Sequence, residues 1–393
     1  MVNIKDFDPY DEDLQQAPFA TYECLREQEP VYYNARRGFW VVSRYEDVKA
    51  AFKNHQHFSS AGGVTLVYDE SGRATDSSVN AEILITSDEP NHKRLRDLVQ
   101  RAFTSRQIQK LEPRMRTLVA EMLDDVLVGG HCDYAAEFAA VFPATVICEL
   151  LGCDPAHRGL FKRTADDLVR NADEPLLETL KRHEEMLGVV MSHIQARKNR
   201  REEDLTSALL DAQVDGESLS DVDVMGFIFL LLIAGTETTT NLLTNAIVAL
   251  EETPTLRSQL VHHPEQIALF IEEILRIESP VQGLTRTTTQ EVRIGAVEIP
   301  AGEKVLLLIG AANRDERQFE MPGCIHMSRE KRDHLAFGYG VHFCLGASLA
   351  RLEARIGLEE TLRRIPEYEV DRSRAKRLAS GPIRGFSMLP IRF

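Results

Sequence analysis

The chain has 393 residues, a formal net charge of -15, 43% hydrophobic and 27% charged residues. This composition is ordinary for a soluble globular protein, and the acidic balance argues against a protein that coats nucleic acid or anionic membranes. Six cysteines are scattered without a Cys-x-x-Cys pair, which favours a reducing, cytoplasmic setting over a secreted disulfide scaffold.

The start of the chain carries no export signal, since Met1–Pro9 has neither a basic nor an apolar targeting region. The longest apolar run, Val224–Ala234, is shorter than the about 20 residues that span a bilayer. We therefore expect no membrane anchor, and the run predicts a buried helix.

The first part of the chain alternates helix and strand patterns. Phe19–Arg26 and Tyr45–Phe52 predict helices, and Val31–Tyr33 and Phe39–Ser43 flank a turn and predict a hairpin. This gives a β-rich part at roughly 30–60. Residues 59–80 are rich in Gly, Ser, Asp and Thr and predict a long loop, of a length that is usually functional or disordered.

Helical periodicity dominates the rest, over 118–127, 135–151 and 175–195. Ser220 and Asp223 form a capping-box pattern that opens a helix to about Glu252, and another helix runs from His263 to Pro280. Hairpins are predicted near 290–310, from residues 292–299 and 305–309, and near 378–393. Because no repeat or low-complexity linker divides the chain, we predict a single domain, 1–393, mainly α with small β-sheets.

Cys344 lies in a glycine-punctuated loop directly before a helical pattern. Apolar residues recur at helical spacing behind it, at Leu345, Leu349, Leu352 and Ile356. Amide groups at a helix N-terminus favour the thiolate and lower the pKa of a cysteine. Gly338, Gly340 and Gly346 leave room for a flat cofactor against the backbone. For a lone cysteine, a structural residue in a tight loop is the alternative.

The pattern Phe337-x-x-Gly340-x-His342-x-Cys344-x-Gly346 resembles, without a gap, the heme-binding signature of the cytochrome P450 family of heme-thiolate monooxygenases. The resemblance implies the cytochrome P450 fold in its soluble bacterial form. It also implies heme b (iron protoporphyrin IX) as the cofactor, with Cys344 as the axial ligand of its iron. Phe337, Gly338 and Gly346 would then adjoin the heme.

The segment Ala234-Gly-Thr-Glu-Thr-Thr-Thr240 places a carboxylate, a glycine and several hydroxyls in mid-helix, against helix propensity. A kinked core helix with threonines bonded back to carbonyls is the structural alternative. The segment is similar to the family's Ala-Gly-x-Glu/Asp-Thr-Thr motif. That similarity implies that Glu237 and Thr238 relay protons to bound oxygen, with Ala234 beside the heme.

Four cationic side chains are candidates to bind the heme propionates. His92 and Arg96 share one face of a predicted helix. Taken alone, this pattern indicates a basic helix end exposed to solvent. By resemblance, both bind propionates together with Arg286 and His342, because a buried anion needs cationic donors.

Glu273 and Arg276 are three residues apart, a spacing that is usually an exposed ion pair. The family's Glu-x-x-Arg motif falls on them and implies a buried pair, joined by Arg329, that holds the cysteine loop. The sequence departs from the family nearby. Ile325-His326 stands where Phe-Asp is common, and Asp315-Glu316 replaces Asp-Pro.

The segment 92–116 is rich in Lys and Arg and forms a basic island in an acidic protein: Lys93, Arg94, Arg96, Arg101, Arg106, Lys110, Arg114 and Arg116. Such islands are usually solvated faces. This one adjoins the predicted heme, so we expect a ferredoxin or flavodoxin-type electron donor to dock there by electrostatic steering.

By resemblance, the substrate pocket lies beneath the loop 59–80 and is mainly apolar, with Gln282 as its polar handle. Its predicted lining is Leu230, Ile233, Ala234, Val281, Gln282, Leu284 and Phe386. This favours a lipophilic substrate such as a terpenoid, steroid, fatty acid or polyketide. The implied reaction inserts one atom of O2, by hydroxylation or epoxidation, with electrons from NAD(P)H through a redox partner.

Three alternatives remain open from the sequence. A peroxide-driven peroxygenase would more often carry arginine in place of Thr238. A heme-based gas or ligand-binding protein without turnover has no need of Glu237 and Thr238. A non-heme structural protein would be colourless.

Overall fold

The computed structural model describes residues 4, 6–76, 83–126, 128–174, 181–214, 216–330 and 332–393, without the side chains of residues 101, 102 and 105–107. Helices dominate, as the sequence predicts. The α-helices are Glu12–Gln16, Phe19–Gln28, Tyr45–Lys53, Asn91–Ala102, Ser105–Lys110, Glu112–Val126, Val141–Leu151, Arg158–Arg170, Glu184–Asn199, Leu205–Asp211, Asp221–Glu252, Pro254–His262, Ile267–Ile277, Ile309–Ala312 and Ala347–Arg364. Shorter 3₁₀ segments are Leu84–Thr86, Pro155–His157, Pro264–Gln266 and Gly340–His342, and Tyr134–Ala139 is a π-helix.

The molecule is built around Asp221–Glu252, the central helix. Its start is the expected capping box: Asp223 N donates to Ser220 Oγ at 3.1 Å, and Ser220 N donates to the Asp223 carboxylate at 2.9 Å. Most of its residues are buried, because it is apolar on nearly every side and crosses the interior. It packs against Val141–Leu151, against Arg158–Arg170 (the flanking helix) and against Ala347–Arg364 (the cysteine helix).

The largest sheet has five strands, in the order Val31–Asn34, Phe39–Val42, Lys304–Leu307, Leu284–Thr288 and Phe58–Ser59. The predicted N-terminal hairpin is present, with Val31 opposite Val42. A hairpin is present near 290–310, but its strands differ from the predicted ones. Val292–Ile294 pairs with Val297–Ile299, whereas Lys304–Leu307 is a central strand, parallel to Phe39–Val42 and antiparallel to Leu284–Thr288. Every residue of Lys304–Leu307 is buried, and a strand covered on both faces belongs inside a sheet.

The remaining strands form small sheets at the periphery. Phe386–Met388 pairs with Lys376–Arg377, and Pro390–Arg392 lies between Glu369–Val370 and His131–Asp133. The first of these pairs is a hairpin near 378–393, as predicted, whereas Pro390–Arg392 pairs with segments outside that range. Two further pairs join Val67–Tyr68 to Ala74–Thr75 and Gln213–Val214 to Glu217–Ser218.

The predicted helices differ from the observed ones mainly at their ends. Residues 135–151 divide into the π-helix and the α-helix Val141–Leu151. The helix predicted over 175–195 is observed as Glu184–Asn199, and residues 175–180 lie outside the described part of the chain. Two helical segments, Tyr134–Leu151 and Asp221–Glu252, are long and apolar enough to cross a membrane. Both pack in the core, and core helices of soluble proteins pass the same test.

Candidate active site

A cavity of about 240 Å³ lies between the central helix and the loop that carries Cys344. On the central helix, Leu230, Ala234 and Thr238 line this cavity. Cys344 and Gly346 line it from the cysteine loop. The lining is mostly apolar. An apolar cavity with few polar groups is the usual form of a binding site for a small molecule or cofactor.

Backbone hydrogen bonds fix the cysteine loop. Cys344 N donates to Phe337 O at 2.9 Å, and Gly338 and Gly340 adopt positive φ values of 69° and 75°. A Cβ on Gly340 would lie 2.8 Å from Phe52 O, so this glycine lets the loop pack on the helix Tyr45–Lys53. Gly338 and Gly346 line the cavity, whereas Gly340 serves the packing behind it.

The electrostatics of Cys344 differ from the expectation. Burial raises the pKa of its thiol, although amide N–H groups of Gly346 and Ala347 and the charges of Arg96 and Arg351 act in the opposite direction. The predicted lowering of this pKa is therefore wrong for the chain by itself, since desolvation outweighs the helix terminus. A coordinated metal ion removes the proton from a cysteine ligand outright.

Basic side chains line the Cys344 side of the cavity, namely Arg96, Arg286 and His342. Burial, with the nearby charge of Arg286, lowers the pKa of His342 to about 3, so its imidazole is neutral and serves as a hydrogen-bonding group. Arg286 is buried, and burial lowers its pKa to about 10. Its Nη1 donates to Thr285 O at 2.7 Å, and no carboxylate of the described residues forms an ion pair with it. Arg96 Nη2 donates to Phe343 O at 2.8 Å.

His92 stands behind His342, with the ring centroids 4.1 Å apart, and does not itself line the cavity. It is 1% exposed, and neither ring nitrogen makes a hydrogen bond, although Nδ1 lies 3.5 Å from Glu89 Oε1. Buried polar atoms are rarely left without a hydrogen bond. A thiol that can ligate a metal, a buried arginine without a carboxylate and a buried imidazole whose Nε2 has no partner together fit a heme, which needs one soft axial ligand and donors for two propionates.

The central helix continues past the cavity without a break. Thr238 Oγ1 donates to Ala234 O at 2.7 Å, and Thr236 and Thr240 bond back to carbonyls in the same way. Gly235 lets the helix Val141–Leu151 approach, because a Cβ there would lie 2.9 Å from Ile147 Cδ1. All three threonines therefore bond to carbonyls of the preceding turn, as expected for a core helix with a purely structural role. Thr238 also lines the cavity.

Glu237 points elsewhere. It lines a separate cleft of about 50 Å³ between the central helix and the flanking helix, together with Lys162 and Asp166. Burial and a hydrogen bond with the Asp166 carboxyl raise the pKa of Glu237 to about 8. The predicted acid and alcohol are therefore neighbours in sequence that face different spaces.

A second buried acid was missed from the sequence. Glu353, on the cysteine helix, lines the main cavity and is 1% exposed. Burial raises its pKa well above the usual value, and its Oε1 has no hydrogen-bond partner. Its spacing could have indicated a buried position, because Glu353 falls on the same helical face as Leu349 and Ile356.

The predicted substrate residues divide into two groups. Leu230, Ala234, Val281 and Leu284 line the cavity. Ile233 packs into the main hydrophobic core instead. Phe386 lines the Glu237 cleft and lies under the guanidinium of Arg377, with 4.0 Å between them.

Gln282 is also turned away from the cavity. Tyr22 Oη donates to its Oε1 at 3.0 Å, and its Nε2 donates to Ser279 O at 2.6 Å. Both ends of the amide are thus satisfied inside the protein, and its role as a polar handle is not supported. Its backbone carbonyl accepts from Gly310 N at 2.9 Å, and its N–H donates to Pro382 O at 2.7 Å.

The predicted cap is displaced as well. Residues 63–65 lie against the strand Leu284–Thr288, where Thr285 N donates to Val64 O at 2.9 Å. Leu84 and Ile85 line the cavity, as do Phe227 and Leu231. No residue of 59–76 does so, and the end of the predicted loop, residues 77–80, lies outside the described ones.

Behind the cysteine loop, the helix Ile267–Ile277 holds the predicted buried ion cluster. Arg276 Nε and Arg329 Nε donate to Glu273 Oε1 at 3.0 and 3.1 Å, and His326 N donates to Oε2 at 2.8 Å. Arg276 also binds the carbonyls of Pro322 and Cys324. The departures from the family pattern leave Arg329 in contact with Glu273.

The neighbouring Glu272, which the sequence analysis did not single out, holds the cysteine helix. Arg351 donates twice to its carboxylate, at 2.7 and 2.9 Å, and His334 Nε2 lies 3.2 Å from it. Arg351 also stacks on Phe337, 4.5 Å from its ring centroid.

The basic island is partly compensated by acids. Arg114 pairs with Glu149, and Arg116 pairs with Glu112 and Glu359. The sequence could not show this, because Glu149 and Glu359 come from other helices. The side chains of Arg101 and Arg106 lie outside the described ones.

Comparison with known proteins places the chain. The family model described as Cytochrome P450 matches residues 160–268 and 267–390. The chain is 40% identical over 389 residues to cytochrome P450 123 of Mycobacterium tuberculosis, covering 98% of this chain and 96% of that protein. It is 37% identical to cytochrome P450 109 of Bacillus spizizenii, over 88% of this chain and 84% of the other.

Solved structures agree with the sequence relatives. Cytochrome P450 CYP109Q5 from Chondromyces apiculatus superposes with a TM-score of 0.89 at 35% identity, covering 99% of this chain and 98% of the other. CYP109E1 from Bacillus megaterium, in complex with testosterone, gives 0.84 at 34% identity, over 95% and 99%. The chain belongs to the cytochrome P450 family of oxidoreductases and is a monooxygenase with the fold of that family.

Proposed function

We propose that this enzyme uses heme b to insert one atom of O2 into a neutral, lipophilic substrate. The observation that carries the proposal is the single cavity that has Cys344 on one wall and Thr238, with apolar side chains, on the other. In CYP109E1 this fold binds testosterone and, in a second structure at 33% identity, corticosterone.

The substrate end of the cavity supports a neutral ligand. Among the described residues, the part nearest Leu84, Phe227 and Leu230 is lined by apolar side chains, and its charged groups belong to the Cys344 side. A carboxylate substrate would have to leave water there without a cation, which costs several kcal/mol. A steroid or a terpenoid meets no such penalty.

The chain's own groups have distinct tasks. Cys344 would hold the iron, Arg96 and Arg286 would neutralise the propionates, and His92 and His342 would hydrogen-bond to them. When bound, the heme supplies activation of O2, which thiolate ligation favours.

Proton delivery falls to two side chains of the central helix. Thr238 would release its bond to Ala234 O and donate into the cavity, and Glu237 would return a proton to it. Thr238 also argues against a peroxide-driven enzyme, in which arginine is more usual at this position.

Electrons from NAD(P)H would arrive through a ferredoxin or flavodoxin-type protein in the cytoplasm. Arg96 lies beside the cysteine loop, and the exposed Phe343 and Tyr339 mark the adjoining surface. An acidic donor would be steered to this side by its charge.

The test of the cofactor assignment is Cys344→Ala. The variant should lose the red-shifted band of the reduced carbon monoxide complex, while Cys324→Ala, at an exposed thiol, should keep it. An unchanged band in Cys344→Ala would remove the ligand assignment.

The substrate class is tested by titrating the ferric enzyme with testosterone and with a long-chain fatty acid. The steroid should shift the heme from low to high spin at lower concentration, by roughly tenfold or more. Tighter binding of the fatty acid would contradict a neutral substrate.

A further inference from the structure

Residues 83–86, the wall segment, supply Leu84 and Ile85 to the lining of the main cavity. The segment contains the 3₁₀ turn Leu84–Thr86 and packs against the central helix, where Phe227 and Leu230 line the same cavity. The separation between the wall segment and the central helix therefore contributes to the size of the ligand that the cavity can hold.

Hydrogen bonds make the wall segment move as one unit. Ile83 O accepts from Thr86 N at 3.0 Å, from Thr86 Oγ1 at 3.3 Å and from Ser87 Oγ at 2.9 Å. Just beyond the segment, Asp88 accepts from Ser60 N at 2.9 Å, which fixes the end of the turn to another part of the chain. A displacement of Ile83 is thus carried to the two side chains that follow it.

Gly226 gives the side chain of Ile83 its place against the central helix. A Cβ on Gly226 would lie 2.8 Å from Ile83 Cγ2 but 3.8 Å from Ile83 Cβ. The first distance is a clash, and the second is an ordinary van der Waals contact. Because Ile83 is branched at Cβ, its χ1 has few alternatives, and its Cγ2 cannot swing away like the end of a long side chain.

The glycine is costly where it stands. Gly226 lies inside the helix Asp221–Glu252, and glycine weakens a helix interior relative to alanine. It is not one of the described residues that line the cavity, so its missing side chain gives no room to a ligand directly. The close approach of Ile83 is the packing that an alanine would prevent.

We propose that Gly226 is a positioning residue for substrate selectivity. By admitting Ile83 against the central helix, it sets how closely Leu84 and Ile85 approach that helix, and so the length of the ligand that fits between the heme and the wall segment. The inference rests on the proposed function, because it takes the cavity to hold heme and substrate together. Gly226 acts through Ile83 and touches no ligand.

A series of N-alkylimidazoles of increasing chain length tests the proposal. The imidazole nitrogen binds ferric heme iron, so the alkyl tail measures the distance to the wall, and dissociation constants are read from the shift of the heme absorption band. In the wild type, affinity should rise about fourfold for each buried carbon until the tail meets the wall. Gly226→Ala should push the wall segment outward and move the optimum to tails longer by one carbon or more. The affinity for unsubstituted imidazole should change by less than about twofold.

The decisive variant adds Ile83→Ala to Gly226→Ala. It removes Cγ2 and leaves the two Cβ atoms 3.8 Å apart, so the wall segment should return and the wild-type optimum with it. Gly188→Ala is the control for a glycine lost from a helix, since a Cβ on Gly188 meets nothing within 4 Å. This control should keep the wild-type optimum.

Amide hydrogen exchange gives a readout that does not depend on heme. Thr86 N–H donates to Ile83 O, so its exchange reports on the wall segment. Gly226→Ala should speed this exchange about threefold or more, and the double variant should restore the wild-type rate.

An unchanged optimum in Gly226→Ala, or a shifted optimum that Ile83→Ala does not restore, would overturn the proposal. If imidazole causes no spectral shift in the wild type, the proposed function fails and the selectivity role fails with it. Hydrogen exchange then still shows whether Gly226 holds the wall segment in place.

Discussion

Two buried glutamates on neighbouring helices have opposite surroundings. Glu273, behind the cysteine loop, accepts hydrogen bonds from Arg276, Arg329 and a backbone amide. Burial acts to raise its pKa, but the two arginines outweigh burial and the pKa is lowered. Glu237, in the central helix, faces another carboxyl, and burial raises its pKa to about 8.

The difference separates a structural acid from a chemical one. An acid that meets two guanidiniums stays ionised and connects segments: Glu273 accepts from His326 N, and its partner Arg276 donates to the carbonyls of Pro322 and Cys324. An acid buried without a close cation of its own keeps a proton at neutral pH and can give it away. Glu353 belongs to the second kind.

The largest effect is expected from breaking the paired acid. Glu273→Gln leaves Arg276 and Arg329 buried without a counter-charge, which should cost about 3–5 kcal/mol of the free energy of unfolding. Urea unfolding measures this, and heme incorporation should fall with it. The control Glu265→Gln, at a residue that is 68% exposed, should change stability by less than about 0.5 kcal/mol. A loss no larger than the control's would show that Glu273 is not structural.

Glu237→Gln removes the acid that faces Asp166 and should reduce product formation by roughly 10²-fold, in line with the loss of a general acid. Its stability should change in the opposite sense to that of Glu273→Gln. Because the pKa of Glu237 is raised to about 8, the folded state loses stability as pH rises from the unfolded value, about 4.3, to about 8.

Denaturation of Glu237→Gln at pH 5 and at pH 9 measures the sign. The variant should be more stable than the wild type at pH 9, and the gain should shrink at pH 5. A variant that is less stable at pH 9 would place Glu237 with Glu273 among the structural acids.

The smallest effect is expected at Glu353. Burial raises its pKa well above the usual value, so Glu353→Gln should add on the order of 1–2 kcal/mol to the free energy of unfolding at pH 8, and less near pH 4. Glu360→Gln is the control, because it lies on the same helix and pairs with Arg363. It should show no gain at pH 8. If Glu353→Gln destabilises the protein at pH 8, the acid is ionised and paired in solution.

Local patterns predicted the helices and the residues of the motifs, because both depend on spacing along the chain. The capping box follows from spacing alone, whereas the roles of the glycine loop and of the buried pair of Glu273 and Arg276 were implied by the family resemblance. Spacing along the chain does not determine which cavity a side chain faces. Adjacent helical residues differ by about 100°, so Glu237 and Thr238 face different spaces although the motif names them together.

Tertiary pairing accounts for the remaining errors. Gln282 and Phe386 were placed in the pocket by their position in the family. Tyr22, distant in sequence, holds Gln282 elsewhere, and Arg377, on the paired strand, contacts Phe386 outside the pocket. Lys304–Leu307 pairs with a strand from the N-terminal part of the chain, which no local pattern contains. The neutralisation of Arg116 by Glu359 has the same origin.

The four hydrogen bonds of Gln282 have a practical meaning for redesign of the enzyme. Its side chain binds Tyr22 and the nearby Ser279, and its backbone binds Gly310 and Pro382, so one residue beside the cavity wall connects its own loop to three distant stretches of chain. A library that aims at new substrates can vary Val281 and Leu284, whose side chains reach the cavity. Randomising Gln282 would remove the two side-chain hydrogen bonds and destabilise many variants, and a screen for activity would discard these without giving information about selectivity.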